Sequence, residues 1–348
     1  MSRAHCRGFS LVELMVAMTI SLILLGGVLA VTYSSKVTYR ENERVARLQE
    51  NGRAAVELML RDMRAGGFHG CTKTVPFTNN LTGAGTLLWD FASPVQGYEY
   101  VSAGTWSPAT DAAIVSPRDG SDIVAVRTVR SDMPSFVTNA AMGSTTGTIS
   151  VDKDVADSLP AGTAVMISDC VAATVFGVSA FTDAGATATV AHAAGGPVAG
   201  VGPGNASNDV GVRFQVGAQI VPVDTVLYYI RDSATVRGAV RNPSLWRQVG
   251  DGAAQEIIEG IDALQILYGE DTDGDRIVDS YVAASAVSSW DNVISITLAL
   301  LIRSVEPNST DVDSRVYTLL PGSTFGPFND RYQRTMYTTT VALRNNTT

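Results

Sequence analysis

Lysine is scarce in this 348-residue chain. Only Lys36, Lys73 and Lys153 stand among 25 basic residues, against 34 acids, for a formal net charge of −9. A chain this acidic has no means of neutralising a phosphate backbone, so no nucleic-acid partner is expected. Histidine is equally rare. His5, His69 and His192 lie far apart, and no His/Cys group has the spacing of a zinc site. No G-x-S-x-G elbow occurs, nor any readable Ser or Cys nucleophile with a His and an acid. Gly200-Val201-Gly202-Pro203-Gly204 precedes no helical pattern, which removes the dinucleotide-loop reading. No pair of acids points to glycoside hydrolysis. No enzyme is expected. A second long apolar run is also missing, which excludes a multi-pass membrane protein. What is present is 45% hydrophobic residues against 17% charged ones, enough for a sizeable core and too apolar for disorder.

The single long apolar run is Phe9 to Tyr33. Twenty-five helical residues reach about 37 Å, more than the roughly 30 Å of a hydrocarbon core. A short polar leader, MSRAHCRG, precedes it, and Arg3 and Arg7 place the N-terminus in the cytoplasm. No small-residue cleavage site closes the run, as a secretory signal would require. Instead Glu13 sits near its start, where a carboxylate costs a few kcal/mol in lipid unless paired. A plain signal anchor gains nothing from that acid.

The stretch Gly8-Phe9-Ser10-Leu11-Val12-Glu13 resembles the type IV pilin and pseudopilin family. The likeness lies in a basic leader ending in Gly8, then Phe9, then a glutamate five residues into the mature chain and an unbroken apolar helix. It implies cleavage between Gly8 and Phe9 by a prepilin peptidase, N-methylation of Phe9, and a helix that leaves the bilayer to form the core of a fibre. Cleavage would free an ammonium at Phe9 that Glu13 can meet, on the same or a neighbouring subunit. Such a pair sets axial register, because a mis-stacked subunit strands a buried charge.

From Lys36 the sequence turns polar but keeps helical spacing. Val45, Leu48, Gly52, Ala55, Met59 and Met63 form a stripe, charged residues cover the other faces, and Gly66-Gly67 ends the pattern. One helix from Phe9 to about Ala65 is the first expectation; two helices broken at Gly26-Gly27 are the alternative. The stretches from Gln49 to Arg53, Leu60 to Arg64 and Ala65 to Cys71 resemble the PilW minor pilins of type IV pili, relatives of the J-type minor pseudopilins of type II secretion.

Past Cys71, short strands bounded by Gly, Asp, Ser and Pro take over. They are expected at 123–129, 148–151, 164–168, 186–190, 219–223, 226–231 and 245–249, then at 264–268, 279–283, 293–303, 315–319 and 334–343. Alternation along 293–303 predicts one face in the core. Residues 191–211, rich in Gly, Ala, Pro and Asn, read as a long surface loop or lid. The expected fold is α+β: a long N-terminal pilin-type helix packed on a large, mainly antiparallel β-sheet domain. The organisation is residues 1–8 leader, 9–33 membrane and assembly helix, 34–65 its amphipathic continuation, and 66–348 the globular part. Once the leader and Cys6 are removed, Cys71 and Cys170 remain. A bridge between them would close a loop of about a hundred residues, worth up to roughly 4–5 kcal/mol; two unrelated buried thiols are the alternative.

Residues 270–279 hold Glu270, Asp271, Asp273, Asp275 and Asp279. Carboxylates of Asp271, Asp273, Asp275 and Asp279 with the Ile277 carbonyl reproduce ligand positions 1, 3, 5, 7 and 9 of a calcium loop. Gly274 stands fourth rather than sixth and Val282 replaces the twelfth-position Glu, so this is not an EF-hand. A hairpin tip closing on one Ca²⁺ is expected, a solvated acidic turn being the alternative. The run Tyr268 to Asp275 is also similar to the PilW pattern.

The resemblance implies a non-catalytic minor pilin of the priming or tip complex of a type IV pilus. Its partners would be other minor pilins, the major pilin, prepilin peptidase and an inner-membrane assembly platform. It would be a single-pass inner-membrane protein with a periplasmic domain, later carried in the fibre at the cell surface. The competing readings are a J-type pseudopilin of type II secretion, an anchored calcium-dependent adhesin outside any fibre, and an anchored periplasmic hydrolase.

Overall fold

A computed structural model describes residues 10–68, 70, 75–196, 202–237, 240–307 and 311–346. Gly8, Phe9, His69 and Cys71 lie outside these residues. One helix, α1, runs unbroken through Leu11–Arg64, and Gly26 and Gly27 sit within it with open space around them. The two-helix alternative is therefore set aside. By compactness the chain divides into residues 1–50 and residues 51–348.

In the first unit the apolar helix surface is bare. Leu11, Met15, Leu22, Ile23, Leu29 and Val31 are all more than half exposed. The hydroxyls of Thr19, Thr32 and Thr38 bond back to carbonyls of the preceding turn. These groups therefore place no demand on water, which suits a segment with a lipid or protein environment all round.

The second unit is built on strands. The first group comprises β1 (Phe77–Asn79), β2 (Val95–Ser102), β3 (Thr105–Ser107), β4 (Ile123–Val129), β5 (Phe136–Thr138) and β6 (Ile149–Asp152). It continues with β7 (Ala164–Ser168), β8 (Ala173–Gly177), β9 (Ala180–Asp183), β10 (Thr187–Ala191), β11 (Gln219–Arg237), β12 (Val240–Val249) and β13 (Gln255–Glu259). Among the described residues these thirteen form one sheet, all antiparallel except β1 beside β8. Its spine is β11, 19 residues long. The first residues of β11 pair with β5 and β7, and its later ones with β4 and β12, so one strand serves two subsheets. The separate strands expected at 219–223 and 226–231 are thus one, because Asp224 and Thr225 stay in register with Thr128 and Arg127.

A second sheet has the order β15 (Ser280–Val282), β14 (Ile261–Glu270), β16 (Val293–Arg303), β19 (Arg334–Ala342). The hairpin β17 (Tyr317–Leu320) and β18 (Ser323–Phe325) lies beside it. Strand β16 is buried along nearly its whole length, not on one face. Its Ala299 and Leu301 pack under Tyr317, Leu319 and Leu320 of the hairpin. Leu300, opposite Tyr337, belongs to the other face, which the end of α1 covers. The small and polar residues read as solvent-facing had a second layer above them.

Residues 51–64 of α1 anchor on these sheets. Ala55, Met59 and Met63 are fully buried, as the stripe predicts. Gly52 is needed where the Tyr337 ring presses on the helix, because a Cβ there would overlap the ring. The segment read as a lid is pinned in its described part. The Asn205 side chain donates to the Gly177 carbonyl and accepts from the Gly177 amide, both at 2.7 Å, and Ala206 donates to Asn80. His192, also in that segment, is buried with Nε2 2.7 Å from the Gly147 carbonyl.

Candidate assembly helix and acidic loop

Glu13 lies one turn into α1. Its amide donates to the Ser10 hydroxyl at 3.1 Å, and Leu14 donates to the Ser10 carbonyl, so Ser10 caps the helix. The Ser10-x-x-Glu13 spacing is that of a capping box, a signal present in the sequence and missed when it was read for charge alone. The Glu13 side chain itself has no ion pair among the described residues. Gly8 and Phe9, the processing residues, fall outside the described residues.

A second acid on the same helix is treated in the opposite way. Asp62 is buried, and its Oδ2 accepts from the Tyr228 hydroxyl at 2.6 Å and from Arg247 Nε at 2.9 Å. Burial, then the Asp62 charge, push the Tyr228 hydroxyl far above its ordinary pKa. For Arg247, burial pulls downward, but Tyr228 and Asp62 outweigh it and raise the guanidinium. The trio locks the helix end onto β11 and β12.

Another buried ionic group closes the second sheet. Arg334 Nε meets Asp262 at 2.6 Å, and its two terminal nitrogens meet Asp330 at 2.7 Å each. Asp313 lies at 3.2 Å, and the Phe328 ring stacks 3.7 Å below the guanidinium. Burial would lower the Arg334 pKa, yet the carboxylates hold it above the ordinary arginine value. Sequence reading missed both networks, because isolated Arg and Asp residues carry no spacing signal.

The acidic loop is the hairpin tip between β14 and β15, as expected. Asp271, Asp273 and Asp275 bring one carboxylate oxygen each within 4.8 Å of one another. Those carboxylates also accept loop amides: Asp271 from Gly274 at 2.7 Å and Arg276 at 2.9 Å, Asp275 from Ile277 at 2.7 Å. Asp279 does not join the trio. Its Oδ2 takes both the amide and the hydroxyl of Thr272, at 2.7 and 2.6 Å, and these bonds hold its pKa below the usual carboxylate value. Of the four carboxylates in the expected ligand set, three are gathered, while Asp279 braces the loop through Thr272.

Two family models match the chain. The prokaryotic N-terminal methylation motif matches residues 3–29, the leader and the start of the apolar helix. The type IV pilus-assembly protein W model matches residues 227–345. Both matches are consistent with a type IV minor pilin of the PilW family, to which the chain is similar over these two stretches. The PilW match takes in Tyr228, Arg247, the acidic loop and the Arg334 cluster. The resemblance drawn between Gln49 and Cys71 lies outside both matches. No curated protein matches the chain. PilW is a family of structural pilus components, so what the likeness implies is assembly with other pilins and pilus machinery.

Proposed function

We propose that this chain is a non-catalytic minor pilin that enters the priming or tip complex of a type IV pilus through its N-terminal helix. The observation that carries the reading is a methylation-motif match at residues 3–29 on a helix whose apolar half is exposed among the described residues. In this account prepilin peptidase cuts after Gly8 at the cytoplasmic face, Phe9 is methylated, and the domain sits in the periplasm before assembly. Glu13 then pairs with the Phe9 ammonium inside the helix bundle, where low dielectric makes an unpaired carboxylate costly. The major pilin, other minor pilins and the inner-membrane platform are its partners. Deleting the gene and restoring it tests the role. Surface pili are expected to fall several-fold on deletion, and the restored chain is expected in sheared fibres; an unchanged pilus count contradicts it.

Two further features belong to this reading. The three gathered carboxylates of Asp271, Asp273 and Asp275 form the core of a one-Ca²⁺ site that stiffens the hairpin tip. A Cys71–Cys170 bridge ties the end of the helix to the sheet. It is supported by Gly70, which lies so close to Ser168 that a Cβ there would overlap its side chain. Mass spectrometry of the unreduced chain is expected to find the two cysteines in one linked peptide.

A further inference from the structure

Among the described residues the edge of the second sheet formed by β19 is open. Leu343 donates to the Ile294 carbonyl, and the ladder runs back from there to Arg303 opposite Arg334 without a register shift. Bonding alternates along an antiparallel pair. Odd-numbered residues of β19 therefore bond to β16, and the amides and carbonyls of Met336, Thr338, Thr340 and Ala342 point outward. None of these outward groups has a partner among the described residues. Met336, Thr338, Thr340 and Ala342 are also exposed.

The other terminal strands are managed differently. Strands β1, β3 and β15 have three residues each. Strand β9 has four and carries Asp183, paired to Lys153 at 3.1 Å. Strand β13 has five, with Glu256 and Glu259 holding Ser244 and Arg237. The far side of β14 is closed by Asp122, which accepts from Ile266 at 2.9 Å and donates to Leu264 at 2.8 Å. Short length, charge and cover are the usual guards against unwanted pairing. Strand β19 lacks all three. It has nine residues, spans about 30 Å, and from Thr335 to Ala342 contains no charge, proline or glycine.

We propose that β19 is a docking edge onto which a different pilin-type subunit adds an extended, uncharged strand rich in β-branched residues. Backbone hydrogen bonds supply the affinity, and Met336, Thr338 and Thr340 supply side-chain pairing on the outer face. A second copy of this chain does not fit a growing fibre. Its other edges are short or charged, and β19 against β19 makes a closed two-fold pair that uses up the edge and leaves none for a neighbouring subunit of the complex. The inference rests on the minor-pilin reading above.

Photo-crosslinking of the full-length chain in its own membrane tests it, with Thr338→p-benzoylphenylalanine or Thr340→p-benzoylphenylalanine, and the same replacement at Ser280 on the β15 edge as control. Adducts with one other pilin-type subunit are expected from both β19 positions and not from Ser280. Thr340→Pro is expected to cut the Thr338 adduct about ten-fold, because its lost amide faces outward and the β16 ladder is untouched. Thr340→Lys gives a second variant that leaves the backbone intact. Protein level and melting temperature are expected to stay unchanged in both. No adduct, an adduct with a second copy or with a protein of another class, or an adduct indifferent to both substitutions overturns the proposal. If Phe9 is methylated and the chain reaches sheared fibres while no adduct forms, the docking edge alone fails. A retained leader removes the minor-pilin reading itself.

Discussion

Glu13 and Asp62 sit on one helix and differ in where their partners are. Asp62 is met within its own chain by Tyr228 and Arg247 and serves to fix the helix end to the sheets. Glu13 has only its own amide capped, by Ser10, and stands on a helix surface that is apolar and exposed among the described residues. A buried acid with a complete internal set of partners belongs to folding. An acid on a bare apolar helix belongs to whatever surrounds that helix later. The comparison separates a stability role from an assembly role on physical grounds.

The largest expected effect comes from Asp62→Ala. It leaves the Arg247 guanidinium and the Tyr228 hydroxyl without their acceptor and is expected to cost about 3 kcal/mol, read as a lower melting temperature. Asp62→Asn keeps part of the hydrogen bonding and is expected to lose less. Glu13→Ala is expected to do the reverse, lowering pilus number several-fold while leader removal, membrane insertion and melting temperature stay unchanged. Equal effects of the two substitutions on stability would erase the distinction.

A pH series sharpens the stability side. Burial pushes Asp224 up to about 7 against the pull of Arg130, and burial pushes Asp122 up to about 7 against its two backbone donors. The folded chain therefore holds more protons than the unfolded chain between the ordinary aspartate value and about pH 7, and stability falls as pH rises through that window. The melting temperature is expected to decline from pH 5 to pH 7.5, and Asp224→Asn to shallow that decline. A steeper decline in the variant contradicts the assignment. The smallest effect is local. Ca²⁺ is expected to raise the melting temperature by a few degrees in the native chain and not in Asp273→Ala, whereas an equal rise in both removes the calcium site.

Much of the fold was legible because it rests on periodicity. The apolar run, the Ala55-Met59-Met63 stripe and the continuous strands at 123–129, 164–168 and 293–303 have bounds that patterning alone defines. Strands β2, β8 and β13 escaped notice. Gly97 interrupts the first, Ala173–Gly177 is short and buried on both faces, and Gln255–Glu259 draws its acids into partner contacts. The hairpin covering β16 could not be foreseen, since a second layer over one strand leaves no mark on that strand's alternation. The processing site was legible as a motif. The Asp62 and Arg334 networks were not, because their members are separated by up to 185 positions in the chain.

The central claim is that Glu13 awaits an ammonium created by processing. Mass spectrometry of the protein purified from cells with an active prepilin peptidase tests it most directly. The account predicts a chain that begins at Phe9 and carries one methyl group on its α-amine. A mature protein that still begins with MSRAHCRG would contradict it.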